Sequence, residues 1–289
     1  MCHDAAVKTA AAPRTTRVRL DQLLVERGLA ETRSRAQALL LGGRVRVGSG
    51  DAARSDRKPG DLVGPDATVE VATPEPYVSR GGHKLAAALD AFDISPVGRV
   101  CLDVGASTGG FTDVLLQRGA RRVYALDVGR GQLAEALRRD PRVVSMERRN
   151  ARELSPASLA EPVTLASVDV AFISLDKVLA PMASTFDPGA GGAIVALVKP
   201  QFEAGREEVR KGVVRDPAVH RAVLRRVLAV AAAAGLPPVG VIASPILGPE
   251  GNREFLAYLR VPPLAARVPA AIPPDVEAAV DALTPGGPA

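Results

Sequence analysis

The stretch "CLDVGASTGGFTD", residues 101–113, sets the fold class. An apolar, strand-like run containing Cys101 ends at Asp103, and Gly105, Gly109 and Gly110 then form a turn into a helix-like segment, 109–118. Glycines let a ligand approach the backbone closely, and a helix start exposes unpaired amide donors. The spacing is not that of a dinucleotide loop: Ser107 stands two residues after Gly105, where G-x-G-x-x-G requires glycine. No G-K-[ST] end follows either, which excludes a phosphate-cradling loop of that type.

Strand-like and helix-like segments alternate outward from this point. "RRVYALDV" (121–128), "RVVSME" (142–147), "SVDVAFI" (167–173), "GGAIVALVK" (191–199), "PVGVIAS" (238–244) and "EFLAYLR" (254–260) read as strands. Helices fit at 131–139, 176–185 and 217–234, the last capped by Asp216 with Pro217 at its first position. Such alternation implies an α/β fold, a mostly parallel sheet with helices on both faces. Ligands in such sheets sit beyond the C-terminal strand ends, near the switch in strand order.

Two polar residues fall at those ends. Asp127 closes "YALDVG", where a carboxylate suits ribose hydroxyls, and Asn150 in "RNARE" is placed to reach an adenine edge. Glycine loop, acidic residue and following polar residue together resemble the S-adenosylmethionine site of a class I methyltransferase, with a Rossmann-like fold. The resemblance implies cofactor contacts from Asp103, Gly105, Ala106, Ser107, Gly109, Gly110, Phe111, Asp127 and Asn150.

The N-terminal third has a different character. Between Arg14 and Val47, eight arginines against three acidic residues account for the whole formal excess of +5. Arginine forks suit phosphate oxygens, so this concentration favours RNA over a merely solvated face. "RLDQLLVERG" reads as an amphipathic helix stopped by Gly28, Thr32 or Ser34 as the cap of a second helix, and "RVRVGSG" as a strand and turn. The segment resembles the RNA-binding domain of small-subunit ribosomal protein S-four, through Arg19, Leu20, Asp21, Leu23, Gly28, Leu29, Ser34, Arg35, Ala36, Gly43, Val45 and Val47. That resemblance implies a small α+β RNA-binding domain, with Arg17, Arg19, Ser34, Arg35, Arg44 and Arg46 facing RNA. Arg19 has an alternative partner in Asp21 or Glu26.

Four further residues carry chemistry. Lys84 follows two glycines in "YVSRGGHKL" (77–85), Asp169 lies inside an apolar run, Lys199 ends a strand in "LVKPQFE", and Glu254 opens the last strand in "GNREFL". An unpaired carboxylate in an apolar strand is costly, so Asp169 calls for a partner. A ribose hydroxyl must lose its proton as it attacks a methyl group, and a lysine accepts a proton only when neutral, a state that burial and a second lysine favour.

These motifs, from about Arg17 to Arg260, resemble the TlyA-type (hemolysin A) family, an S-four-like domain joined to an FtsJ/RrmJ-like ribosomal RNA 2′-O-methyltransferase. The resemblance implies a tetrad of Lys84, Asp169, Lys199 and Glu254, with Lys199 as base and Lys84 orienting substrate. It also implies S-adenosylmethionine as cofactor and cytidine in ribosomal RNA of small or large subunits as substrate. The loop has "STGG" where the wider FtsJ pattern carries proline, a feature TlyA-type loops share. The expected organisation is a disordered tail (1–16), the S-four-like domain (17–72), a linker (73–79), the methyltransferase domain (80–262) and a Pro/Ala-rich tail (263–289). The charged, glycine-broken segment 201–215 reads as a loop over the substrate or as a merely solvated loop.

Several classes are disfavoured. "MCHDAAVKTAAAPR" has no apolar core of a signal peptide, and the apolar run "VLAVAAAAGL" is too short to cross a membrane. Direct membrane lysis therefore lacks support, and a cytoplasmic location is expected. Two cysteines suggest no disulfide framework and three histidines no metal site. Base methylation would call for a catalytic cysteine or an Asn/Asp-Pro-Pro-aromatic motif; Cys101 is in a strand and no such motif is present. A non-catalytic, cofactor-sensing RNA-binding protein is the remaining alternative.

Overall fold

The computed structural model describes residues 17–50, 53–72, 75–205, 207–209 and 211–285. The chain divides into two compact units, residues 1–74 and 75–289. The expected disordered tail (1–16) and residues 73–74 of the expected linker lie outside the described residues.

In the first unit the order is β1 (Val18–Arg19), α1 (Leu20–Glu26), α2 (Arg33–Leu41), β2 (Val45–Val47), β3 (Leu62–Val63) and β4 (Val69–Val71). β1 pairs with β3 and β2 with β4, both antiparallel. Leu20, Leu23 and Leu24 fall on one face of α1 and meet Ala36, Leu39 and Leu40 of α2, as helical spacing requires. The cap of α2 is Thr32, whose side chain accepts from Arg35 N. Asp21 is fully buried and bound by three side chains, Arg19, Arg33 and Gln37. The hydrogen bond from Arg19 helps hold its carboxyl well below the usual range. Of the two alternatives for Arg19, the pair with Asp21 forms.

The second unit runs α3 (Gly81–Ala91), β5 (Val100–Val104), α4 (Gly110–Gln117), β6 (Arg122–Asp127), α5 (Glu135–Arg138), β7 (Val143–Glu147), β8 (Leu165–Val168), α6 (Leu179–Ala183), β9 (Gly192–Val198), α7 (Pro200–Glu203), α8 (Pro217–Ala233), β10 (Pro238–Ala243), β11 (Phe255–Val261) and α9 (Pro274–Leu283). Seven strands form one sheet in the order β10-β11-β9-β8-β5-β6-β7. The five from β9 to β7 run parallel, and β11 and β10 join antiparallel.

Both faces of this sheet are covered, so its central strands are apolar almost throughout. On β5, Val100, Leu102 and Val104 enter one core with α6 and α8 residues, while Cys101 enters the other with residues of α3 and α4. Burial pushes the Cys101 thiol up to about 12, which makes it inert at neutral pH. β5 has β6 on one side and β8 on the other, so the chain changes direction across the sheet at the β5–β8 boundary.

The structure corrects five expectations. The helix expected at 131–139 is reduced to α5, because Gly131 takes φ +68° and Ala134 N bonds Thr108 O before coiling begins. The helix expected at 176–185 is a 3₁₀ turn, Leu175–Lys177, followed by α6. β8 ends at Val168, so Asp169 stands just beyond the strand rather than inside it. Residues 75–79 are no free linker: Val78 N donates to Asp113 and Gln117 to Pro76 O, both from α4. The Pro/Ala-rich tail contains α9, whose Val276 and Val280 are buried in the core and whose Glu277 and Asp281 bind Arg225 of α8.

Candidate active site

At the C-terminal ends of the parallel strands lie two adjoining depressions. The larger, about 530 Å³, is lined by Gly105 and Ser107 after β5, Asp127 at the end of β6, Asn150 after β7, Asp169 and Phe172 after β8, and Lys199 after β9. The smaller, about 250 Å³, adds Lys84 of α3, Glu254 before β11, and Ala106, Gly110 and Phe111. Gly105, Ser107, Asp169 and Lys199 line both. They form the junction between the two.

The loop after β5 is fixed from two sides. Gly105 N and Ala106 N donate to Leu126 O, at 2.8 and 3.0 Å, which ties it to β6. Asp127 then accepts from Ser107 N at 2.8 Å and from Gly129 N at 2.7 Å. Each carboxylate oxygen retains a lone pair for a ligand hydroxyl. Asn150 Oδ1 caps the 3₁₀ turn that follows it by accepting from Arg152 N, and its Nδ2 has no partner among the described residues.

Two ion pairs meet at the smaller recess. Lys84 Nζ lies 2.5 Å from Glu254 Oε2, with both side chains nearly inaccessible. Lys199 Nζ contacts Asp169 Oδ1. Lys84 reaches the recess because the glycines opening α3 pack closely: a Cβ on Gly82 would lie 2.4 Å from the Tyr77 ring. Lys199 caps α7, whose first residue is Pro200. The four residues read from sequence as a tetrad thus converge around one recess, although they come from four separate elements.

Other expectations are redistributed. Asp103, expected among cofactor contacts, is wholly buried and lines neither depression; it accepts from Thr112 Oγ1 at 2.7 Å and Ser167 Oγ at 3.0 Å. It braces the loop from beneath, tying β5 to α4 and β8. Gly109 also lines neither depression, packing against Leu133 and Leu137. In the first unit Arg17, Arg19, Ser34, Arg35, Arg44 and Arg46 are all exposed. The sequence reading missed Phe172, which lines the larger cleft with 90% exposure at φ +61° and meets the Phe202 ring at 4.8 Å between centroids, tilted by 51°. An exposed aromatic on strained backbone is a site signal that an apolar run in sequence does not give.

Burial pushes Asp103 up to about 7, against the opposing pull of the Thr112 and Ser167 hydroxyls. A carboxyl neutral in the folded chain but ionised in the unfolded one means the folded chain holds the extra proton. The resulting stabilisation is full below pH ~4 and lost as pH rises through about 7. Between pH 5 and 8 the wild type should therefore lose about 3 kcal/mol relative to Asp103→Asn, which has no proton to release. Denaturant midpoints at the two pH values check this; parallel losses would mean that Asp103 is already ionised at pH 5.

Comparison with known proteins gives concordant matches. The model of the FtsJ-like methyltransferase family matches residues 77–261, and that of the S4 domain matches residues 18–49. The chain is 49% identical over 250 residues to the Mycobacterium tuberculosis protein named 16S/23S rRNA (cytidine-2′-O)-methyltransferase TlyA, covering 84% of this chain and 90% of that one. It is 40% identical over 243 residues to Hemolysin A of Brachyspira hyodysenteriae, covering 83% and 99%. A solved structure from Streptococcus thermophilus, under a provisional hemolysin description, superposes with a TM-score of 0.69 at 42% identity, covering 93% of this chain and 96% of that one.

Proposed function

The chain belongs to the FtsJ-like methyltransferase family and carries an S4 domain, and from that premise we propose that it transfers a methyl group from S-adenosylmethionine to the 2′-hydroxyl of a cytidine in ribosomal RNA. The observation that carries this reading is the junction: Asp169 and Lys199 line both the larger cleft and the recess closed by Lys84 and Glu254. A methyl donor in the first and a ribose hydroxyl in the second would meet at these two side chains.

The larger cleft fits the cofactor in size and chemistry. A volume of about 530 Å³, mostly apolar walls and a few polar groups are what a nucleoside-bearing ligand needs. Asp127 would hold the ribose diol and Asn150 the adenine edge, while Gly105 and Ser107 would border the donor group. S-adenosylmethionine, when bound, supplies an electrophilic methyl carbon.

The protein's own groups then activate and place the hydroxyl. Lys199 Nζ would take the hydroxyl proton as the ribose oxygen bonds to the methyl carbon and the methyl–sulfur bond breaks, its electron pair leaving on sulfur. This requires Lys199 to enter the step as the free amine. Asp169 orients that amine, and Lys84, held by Glu254, orients the ribose. Most of the remaining gain comes from in-line placement. Phe172 and Phe202 offer ring surface beside Lys199 on which a base can stack, Lys199 Nζ lying 5.7 Å from the Phe202 centroid. Arg17, Arg35, Arg44 and Arg46 would bind phosphates, helped by Ser34; Arg19 would act from its pair with Asp21. Ribosomal subunits as substrate imply work in the cytoplasm. Among the described residues no helix is long and apolar enough to cross a membrane, and no cluster of potential metal ligands is present.

The test is transfer of a labelled methyl from S-adenosylmethionine to ribosomal subunits that lack the modification. Label should appear in alkali-resistant dinucleotides, since a 2′-O-methyl blocks cleavage at that position. No label on either subunit, despite measurable binding of RNA and cofactor, would leave the non-catalytic RNA-binding reading.

A further inference from the structure

Two segments carry the ion pair at the junction: the loop 169–178 after β8, and Lys199 with the single helical turn α7 after β9. The β8–β9 ladder ends at Val168 and Ala196, so no ladder joins the two segments directly beyond it. Asp169 N still bonds Val104 O of β5, and Lys199 follows Val198, which pairs with Phe255 of β11. One buried side chain spans the gap. Glu203, 6% exposed, accepts from Leu175 N through Oε1 at 2.8 Å and from Ser174 Oγ through Oε2 at 2.6 Å. On its outer side Arg226 of α8 approaches Oε2 at 3.5 Å and donates to the Glu203 carbonyl.

We propose that Glu203 is a positioning residue: by clamping the loop that carries Asp169 to the turn that carries Lys199, it sets the relative placement of the two groups at the point of methyl transfer. This rests on the function proposed above. A buried carboxylate is costly unless each oxygen finds donors, and both donors here come from the opposite loop rather than from its own helix. The turn passes the constraint on, because Phe202 N donates to Lys199 O at 2.9 Å and the Phe202 ring meets Phe172. Glu203 lines neither depression, so it acts through its neighbours and not on substrate.

The experiment compares the full-length wild type with Glu203→Gln and Glu203→Ala, and Asp169→Asn with the Asp169→Asn/Glu203→Ala double variant. Single-turnover methylation of ribosomal subunits and amide exchange at residues 172–178 are measured for each. Glu203→Ala should slow the single turnover by about 10- to 100-fold, the range expected from an ångström-scale misplacement, with cofactor affinity retained. Exchange at Leu175 should accelerate. Glu203→Gln can still accept from Leu175 N and donate to Ser174 Oγ, so it should recover most of the rate. On the Asp169→Asn background Glu203→Ala should change the rate by no more than about 2-fold, because the group it positions is already impaired. An unchanged rate in Glu203→Ala, or the full loss repeated on the Asp169→Asn background, would overturn the proposal. If Glu203→Ala does not fold, Ser174→Ala removes one bond of the clamp and should slow the step several-fold; an unchanged rate there overturns it equally. If the wild type itself transfers no methyl, the functional reading fails, and unaltered exchange at Leu175 in Glu203→Ala or Ser174→Ala would then remove the clamp as well.

Discussion

Replacing Lys199 by alanine should lower single-turnover methyl transfer by about 10²- to 10⁴-fold, the range for loss of a positioned general base. Cofactor and RNA affinity should change little. Lys199 is one of several side chains lining the larger cleft, and the polar groups suited to a nucleoside, Asp127 and Asn150, stand on other strands. Its Asp169 partner is 23% exposed, so removing the lysine does not strand a carboxylate in a dry interior. Lys199→Arg is the sharper variant. It keeps a positive charge beside Asp169 but cannot supply a free amine, since guanidinium does not deprotonate in proteins. A base role requires both variants to be inactive; activity in Lys199→Arg would assign Lys199 to charge alone. Label in alkali-resistant dinucleotides at the wild-type rate with Lys199→Ala would keep the enzyme and remove the base.

Such a prediction was accessible from sequence because Lys199 and Glu254 flank strands that spell themselves out as long apolar runs, β9 and β11. Strand ends are where an α/β sheet puts its chemistry, so a polar residue there reads directly as a site candidate. The glycine loop after β5 was legible for the same reason. Asp169 was harder to place. The run "SVDVAFI" stays apolar past it, yet after the bond from Asp169 N to Val104 O the chain leaves the sheet, and by Phe172 it has positive φ. Neither the break nor the 90% exposure of Phe172 is a local property; both depend on what β5 and α7 present to that loop. Asp103 shows the converse. The resemblance implied a ligand contact there, but Thr112 on the following helix and Ser167 on β8 enclose it completely. Glu203 was hidden in a charged stretch that looked like a solvated loop. The C-terminal helix was hidden by composition, although Pro273 and Pro274 before an apolar-periodic segment are a helix-start signal in their own right.

The second large effect is expected at Gly105. Substitution by alanine should weaken cofactor binding by at least about 100-fold and abolish methyl transfer, because two costs arise at once. Gly105 has φ +85°, where any Cβ costs about 1 kcal/mol or more. A Cβ there would also lie 2.2 Å from the carbonyl oxygen of Asp169 and 2.8 Å from its carbonyl carbon. Those are backbone atoms at the junction of the two depressions, so they cannot rotate away as a side chain would. Relief must come from moving the glycine loop away from Leu126, to which Gly105 N and Ala106 N are bonded, or from moving Asp169 away from Lys199. The first distorts the cofactor cleft and the second the ion pair. Gly131 supplies the control: it has φ +68° but nothing within 4 Å of a built Cβ. Gly131→Ala should therefore cost only the backbone strain, about 1 kcal/mol of stability, and keep cofactor affinity. Calorimetric titration of both variants with S-adenosylmethionine separates strain from contact. Equal, small losses would mean that the approach of Gly105 to Asp169 does not shape the site. A loss confined to Gly105→Ala would show that the cofactor loop and the catalytic strand end are built to a common clearance that admits no side chain between them.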